Sequence, residues 1–371
     1  MWTLARKNLL KEKARLAISI GGVAFAVVLM VLLRGLYVAY ETKVSDYYNA
    51  MDVDAWVLQE GCADLIFSYS VLPLTIRSDL ENLDGVAEVV PYTARQIGFD
   101  LNGRDVVLYL VAFNPNRAGP GPGPVAMSAG TSAINADEII IDRVFARKNN
   151  VEIGEVLSIN GKDLRVAGIS SGGDMVVFQY GFVTRKRARS LLHTERSVTS
   201  YLLRYTPDAS ATSVADGVAS MEATATVKSV GDVVKANQRV INEGFLPVLG
   251  VLLVIGFCIG VAVIGLTIYS AVLEHRREYG VLKAVGARTR QMLLVVTVQA
   301  LCSAVAGYVV GIGISLLVAR AAERWVPQFV THIQPLDVGI VGLAALLMGL
   351  VASVVPLHRI ARVDPAVVFR A

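Results

Sequence analysis

Residues 274–291 read EHRREYGVLKAVGARTRQ, a charged and amphipathic stretch set between two long apolar segments. It is too polar to cross a membrane. Its flanks, residues 245–273 and 292–319, each exceed the roughly 20 apolar residues that an α-helix needs to span a bilayer. The stretch is therefore a tight loop between two spans. Arg276, Arg277, Lys283, Arg288 and Arg290 outweigh Glu274 and Glu278, and this basic excess predicts a cytosolic position. At helical spacing Glu278, Val281, Leu282 and Val285 share one face, and Gly286 offers the left-handed residue that ends a helix. A short amphipathic helix of this kind suits a cytosolic partner's groove. Charge and glycine alone would also fit an ordinary cytosolic connector.

Working outward, the expected order is a cytosolic interfacial amphipathic helix at 1–15, then a first span with the start of a stalk at 16–40. Arg6, Lys7, Lys11, Lys13 and Arg15 around Trp2, Leu4, Leu9 and Leu10 motivate the interfacial helix. Arg34 is expected to snorkel, and Tyr37, Tyr40, Tyr47 and Tyr48 to crowd the interface where the span exits. A cleaved signal peptide is the rival reading, disfavoured by the length of the apolar run and by the lack of a small-x-small site after it. Residues 41–243 change character and predict an exoplasmic α+β domain ending in a stalk helix. There follow a second span at 244–273, the loop at 274–291, a third span at 292–319, a short exoplasmic turn at 320–336, a fourth span at 337–357 and a basic cytosolic tail at 358–371. Four crossings put both termini in the cytosol, with basic residues at each cytosolic segment. A single helix over 227–273 is also expected, since a helix over 245–273 alone would run about 43 Å against a hydrocarbon core of about 30 Å.

Within 41–243, strands are expected over 106–113, 138–141, 156–159, 164–169, 175–183 and 200–205, with Asn160-Gly161 as a hairpin turn. Helices are expected over 74–82, 185–192 and 211–221. The GPGPGP-containing stretch 117–131 is expected to hold no regular structure. Hydrophobic residues make up 54% of the 371, yet most polar ones fall in this middle region, as a membrane protein with one large soluble domain requires. The net charge of +4 reflects basic cytosolic flanks and gives no reason to invoke nucleic acid. Two of the three cysteines, Cys258 and Cys302, sit in apolar spans, so Cys62 has no disulfide partner in the outer domain.

The loop closely resembles the segment E-R-x-x-E-I-G-x-L-R-A-L-G-A of FtsX-like and MacB-type ABC transporter permeases. Glu274, Arg276 or Arg277, Glu278, Gly280, Leu282, Lys283, Ala284, Gly286 and Ala287 fill that pattern, and His275, Tyr279 and Lys283 are mild departures. Residues 139–169, IIIDRVFARKNNVEIGEVLSINGKDLRVAGI, resemble the exoplasmic core domain of the same permeases, with Glu155 in place of the usual aspartate. The tail around Asp364-Pro365-Ala366 matches the family's ending. The resemblance implies a four-span permease subunit whose residues Glu274, Arg276, Arg277, Glu278, Gly280, Leu282, Lys283, Gly286 and Ala287 couple to a separate ABC ATPase. It further implies a bacterial inner-membrane location, a dimer of permease subunits, either homo- or heteromeric, contact with membrane lipid, and room for a periplasmic adaptor protein.

No cofactor is expected in this chain, because no G-x-x-x-x-G-K-[ST] phosphate loop occurs and ATP-Mg would be bound by the partner ATPase. Gly168-Ile169-Ser170-Ser171-Gly172 matches G-x-S-x-G, but a nucleophile elbow needs a helix directly after it, where a strand is expected. His193, His275, His332 and His358 lack metal-ligand spacing. Gly22-x-x-x-Ala26, Gly256-x-x-x-Gly260, Gly307-x-x-x-Gly311 and Ala345-x-x-x-Gly349 let backbones approach, within the subunit or between subunits, and Gln299 is expected to hydrogen-bond a neighbouring helix. The expected function is ATP-coupled export or extraction of a substrate at the exoplasmic side by a chain that is not itself an enzyme. The alternative is a mechanotransmitting regulator of an exoplasmic enzyme that moves no cargo, and a membrane-anchored enzyme ranks behind both.

Overall fold

The computed structural model describes residues 13–66, 68–117, 119, 121–172, 179–221, 224–275, 278, 281, 289–325 and 331–361. Helix α1 (Lys13–Asn49) carries the first apolar run; residues 1–12, most of the expected interfacial helix, lie outside the described residues. The middle of the chain then runs β1 (Ala55–Gln59), β2 (Leu72–Pro73), α2 (Ile76–Glu81), β3 (Val86–Leu101), β4 (Arg104–Phe113), β5 (Ala126–Gly130), β6 (Glu138–Asp142), α3 (Arg143–Asn149), β7 (Val156–Ile159), β8 (Lys162–Ser171), β9 (Tyr180–Thr184), α4 (Arg185–Leu192), β10 (Ser197–Val198), β11 (Ser200–Tyr205), α5 (Ala211–Ala219) and β12 (Ala225–Ser229). Three long helices complete it: α6 (Val230–Glu274), α7 (Thr289–Trp325) and α8 (Pro335–Ala361). Two compact units result, one holding the apolar helices and the other formed by Tyr40–Gly244.

The second unit is built on a mixed sheet of order β12-β1-β11-β3-β4-β9-β6-β8-β5, with β7 paired to β8 and parallel pairs at β4/β9 and β6/β8. Side chains alternate across it. From β4, Tyr109, Val111 and Phe113 enter a core with Trp56, Tyr92 and Tyr180, while Leu108, Leu110 and Ala112 enter another with Phe145 and Leu191. A strand buried on both faces reads as a continuous apolar run, and β4 does so over its buried part, Leu108–Phe113. Asn160 and Gly161 take φ of 48° and 70° and join β7 to β8, the two positive values that a type I′ hairpin turn requires. Asn102 and Gly103, at 55° and 79°, join β3 to β4 in the same way.

Strand β3 explains how the sheet is divided. Its first half pairs with β11 and its second half with β4, so one long strand steps between two lobes. Pro91 sits in the first half, opposite Tyr201, where only one edge of the strand is paired; an edge tolerates the missing N–H. Buried Asp142 fixes the second lobe, accepting from Phe145 N at 2.7 Å as the N-cap of α3 and from Tyr180 N at 2.5 Å.

Several expectations are corrected. Strand β5 lies inside 117–131: beyond Pro124 the chain pairs with β8, and Gly130, at φ 76°, passes so close that an added Cβ would lie 2.3 Å from Ala167 O. Residues 225–229 are strand, so α6 begins at Val230, where Ser229 Oγ accepts from Asp232 N at 3.1 Å, and no helix starts at 227. Tyr47 and Tyr48 do not belong to an interfacial belt; both are 1% exposed, packed with Trp56, Tyr180 and Phe182 in the outer core. Helix α7 continues through Trp325 and α8 starts at Pro335, which shortens the expected turn at 320–336.

Four helices are long and apolar enough to cross a membrane, lying within Lys13–Asn49, Asn242–Glu274, Arg290–Ala322 and Pro335–Val354. The large mixed α/β domain is inserted between the first and second. The small-residue motifs pack inside the subunit. A Cβ added at Gly307 would lie 2.5 Å from Val23 Cβ, one at Gly311 2.7 Å from Val27 Cβ, and one at Gly22 2.4 Å from Val263 Cγ1. Gly260 meets Ala26 and Met348, and Gly349 meets Ala304 and the Ala300 carbonyl. Glycine lets these helix backbones approach where a side chain would hold them apart. Val248, Val251, Val254, Leu266, Val309 and Val354 are exposed on the outside of the bundle.

Candidate functional site

At the start of the stretch 274–291, α6 ends at Glu274 and the His275 N–H still donates to Ala271 O at 3.0 Å. Glu274 is not solvated alone: Arg15 Nη2 donates to its Oε2 at 2.5 Å, joining the start of α1 to the end of α6. His275 Nδ1 lies 3.1 Å from Glu278 Oε1, and the Glu278 side chain is 68% exposed. Arg276, Arg277, Gly280, Leu282, Lys283, Gly286 and Ala287 lie outside the described residues. Both described carboxylates are exposed, Glu274 at 62% and Glu278 at 68%, and each has a partner within the chain, Arg15 for Glu274 and His275 for Glu278.

The helical bundle contains a second charge pair that sequence reading missed. Arg34 was expected to snorkel; instead its Nε donates to Asp337 Oδ1 at 2.7 Å, with the Asp337 side chain only 3% exposed. The guanidinium also lies 5.2 Å from the centre of the Tyr37 ring. Next to it His332 N donates to Gly35 O at 3.0 Å, so the segment before α8 is bound to α1 by backbone and the first turn of α8 by charge. An arginine directly after the apolar run 16–33, and an aspartate at the start of another apolar run, are the sequence signals for this pair. Ionisable groups of this kind inside a bundle tend to pair with one another.

Other polar side chains in the spans bond to their own helices. Thr267 Oγ1 donates to Val263 O at 2.5 Å, Thr297 Oγ1 to Leu293 O at 3.1 Å and Ser315 Oγ to Gly311 O at 2.7 Å. Tyr308 OH crosses between helices to Val338 O at 2.9 Å. Gln299, expected to make such a crossing, is half-buried.

In the outer domain, a cleft of about 300 Å³ is bordered by Tyr69, Arg95, Tyr109, His193, Thr194 and Thr199. Arg95 stacks at 5.8 Å from the Tyr69 ring centre, and burial pushes the Tyr109 hydroxyl up, keeping it a donor to Leu65 O at 3.2 Å. Such a lining can stack on and hydrogen-bond a ligand. Ser170, from G-x-S-x-G, is buried within β8 with its hydroxyl 3.5 Å from Ile141 O, the position of a core residue rather than of a nucleophile at a strand-to-helix turn. Burial raises the Cys62 thiol, and Lys228 Nζ, which opposes that shift, donates to the Cys62 carbonyl at 2.6 Å.

Residues 16–221 match the MacB-like periplasmic core domain family, and residues 250–365 match the FtsX-like permease C-terminal family. The chain is 26% identical over 367 residues to an uncharacterized ABC transporter permease of Mycobacterium bovis, covering 96% of both chains. It is 31% identical over 122 residues to the macrolide export ATP-binding/permease protein MacB of Escherichia coli, which covers 33% of this chain and 18% of that protein. Among solved structures, the periplasmic region of MacB from Actinobacillus actinomycetemcomitans aligns with TM-score 0.37 at 10% identity, over 50% of this chain and 92% of that one.

Proposed function

Because the chain belongs to the FtsX/MacB-type family of ABC transporter permeases, we propose that it is a subunit that couples ATP hydrolysis by a separate ATPase to export or extraction of a substrate at the exoplasmic face. The observation that carries this reading is the FtsX-like match over 250–365, which encloses the loop at 274–291 and the helices on either side of it. The loop is the contact with the ATPase, through Glu278 and the basic and small residues around it. ATP-Mg belongs to the partner, and this chain contributes no catalysis. ATP shifts the permease only by its differential affinity for two arrangements of the ATPase, and the loop passes that difference to α6 and α7. The chain resides in the bacterial inner membrane with both termini in the cytosol, and it works as a dimer, with lipid around it and an adaptor as an additional periplasmic partner in the export form.

Co-purification tests the coupling. Glu278→Lys presents a positive charge where the ATPase groove meets a negative one, so retention of the ATPase should fall about tenfold or more while membrane insertion persists. Wild-type retention together with wild-type substrate-stimulated hydrolysis would reduce the loop to a connector. Stimulation by an exoplasmic hydrolase rather than by a small or lipid ligand would move the assignment to the regulator.

A further inference from the structure

Arg185 is the first residue of α4, directly after β9, and its surroundings do not balance its charge. Its Nε is shut off from solvent with no hydrogen-bond partner, and among the described residues the side chain makes no ion pair. Burial, and then the like charges of Arg117, Arg77 and Arg189, hold its pKa below the usual arginine value. Two carboxylates line a cavity beside it and are already engaged: Glu88 pairs with Arg117, and Glu81 accepts from Arg77 Nε at 2.8 Å. A solvated arginine face would keep its forks in water. Here the Nε hydrogen faces inward without an acceptor while the half-buried guanidinium sits among other cations, an arrangement that costs free energy until an anion joins it.

Space for that anion exists on two sides. Arg117 and Arg185 together wall two cavities of about 240 Å³ each. One follows the unpaired edge of the first half of β3, from Val86 to Pro91, where the sheet steps from one lobe to the other. The second is closed by Gly121, Pro122 and Gly123 of the glycine-proline loop and by Tyr47, Ala50 and Met51 at the end of α1. Each is smaller than the roughly 300–1,000 Å³ typical of drug-sized ligands, and fits a headgroup or a small acid.

We propose that the outer domain binds an oxyanion, the phosphate or carboxylate of a small ligand, on the Arg185 guanidinium, with Arg117 as the second cation. The Nη1 and Nη2 hydrogens of the planar guanidinium match two oxygens of either group, which an ammonium does not. Occupancy balances the half-buried charge and fills the space beside the last turn of α1. The site stands on the geometry of the outer domain alone and does not depend on the chain's role in transport.

The test uses the full chain in detergent and in nanodiscs, with inorganic phosphate and citrate as probes at constant ionic strength. Calorimetric titration should show saturable binding of at least one probe at millimolar concentrations. Arg185→Gln should weaken it about tenfold or more, Arg185→Lys should restore only part of the loss, and Arg104→Gln, an exposed arginine of β4, should leave it unchanged. Without added anion, Arg185→Gln should melt at or above the wild type, because an uncompensated cation has been removed; a residue that served only the fold would lower melting. Nanodiscs containing phosphatidylglycerol that compete with the probe identify a lipid phosphate as the source, and lack of competition identifies a soluble ligand. Absence of saturable binding for both probes, equal loss in Arg104→Gln, or an Arg185→Gln protein that melts lower and still binds would each overturn the proposal.

Discussion

The two units bury different things. The largest fully buried side chains among the described residues, Trp56, Tyr47, Tyr48, Tyr92, Tyr180, Tyr201 and Phe145 among them, all come from the outer domain. The interior of the helical bundle is Val, Ala, Ile and Met, brought together at glycines. The difference follows from the solvent each unit displaces. In water, large apolar surface supplies the driving force, so aromatic residues dominate the core. Against lipid, apolar burial gains little, and close backbone approach with a few polar contacts must hold the helices together.

The largest expected effect is therefore in the outer domain. Trp56 is fully buried, 4.9 Å from Tyr92 and 5.5 Å from Tyr48 in ring-centre distance, and Trp56→Ala should cost about 3–5 kcal/mol. Hydrogen exchange should show the loss over β1, β11 and β12, with the spans protected as before. Equal loss in the spans would mean that the two units unfold as one, and the comparison would fail.

The next effect belongs to the bundle and separates the partners of its charge pair. Arg34→Ala leaves the Asp337 carboxylate buried and unpaired, so it should cost about 3 kcal/mol or a little less. Asp337→Ala leaves an arginine whose side chain is already 40% exposed and can reach water, so its cost should be clearly smaller. Thermal melts of the two variants in the same detergent check the order. The reverse order would show that Arg34, not Asp337, is the desolvated partner.

Gly307→Ala comes third. The new methyl would meet Val23 Cβ at 2.5 Å and the Ile20 carbonyl at 3.0 Å, so α1 and α7 must move apart, at a cost of about 1–3 kcal/mol. Gly313→Ala, with nothing within 4 Å, serves as the matched control and should be neutral or better. A control destabilised as much as Gly307→Ala would show that the loss is not specific to the contact of α1 with α7.

These contrasts also explain what could be read from the sequence. The spans were legible because apolar length alone identifies them, and β7, β11 and α4 because turn chemistry and alternation agree there: Asn160-Gly161 closes one hairpin and Thr184 caps α4. The reach of β3 was hidden by Pro91, which ordinarily argues against a strand and is tolerated here only because one edge is free. The exposed strand β5 has little apolar signal, and pairing with β8 decides its conformation. At the candidate loop the motif was legible as a string, while the ties of Glu274 to Arg15 and of Arg34 to Asp337 link residues far apart in sequence, and no local pattern encodes such partners.

The smallest effect is expected at the loop, and it sharpens the comparison most directly. Arg15–Glu274 and Arg34–Asp337 are both arginine–carboxylate pairs within the same bundle, at 2.5 and 2.7 Å, so distance does not separate them. Exposure does: the Glu274 side chain is 62% exposed, against 3% for Asp337. Water and salt screen the exposed carboxylate of the first pair, so breaking that pair strands no buried carboxylate. Glu274→Gln should therefore leave the melting temperature unchanged at physiological salt, even as Arg34→Ala lowers it. Because Glu274 also lies in the proposed ATPase contact, ATPase retention is measured separately on the same preparation, and a defect there without a stability change would locate its role in coupling. A melting loss as large as that of Arg34→Ala would mean that charge pairing holds this bundle regardless of depth, and the contrast drawn from burial would have to be abandoned.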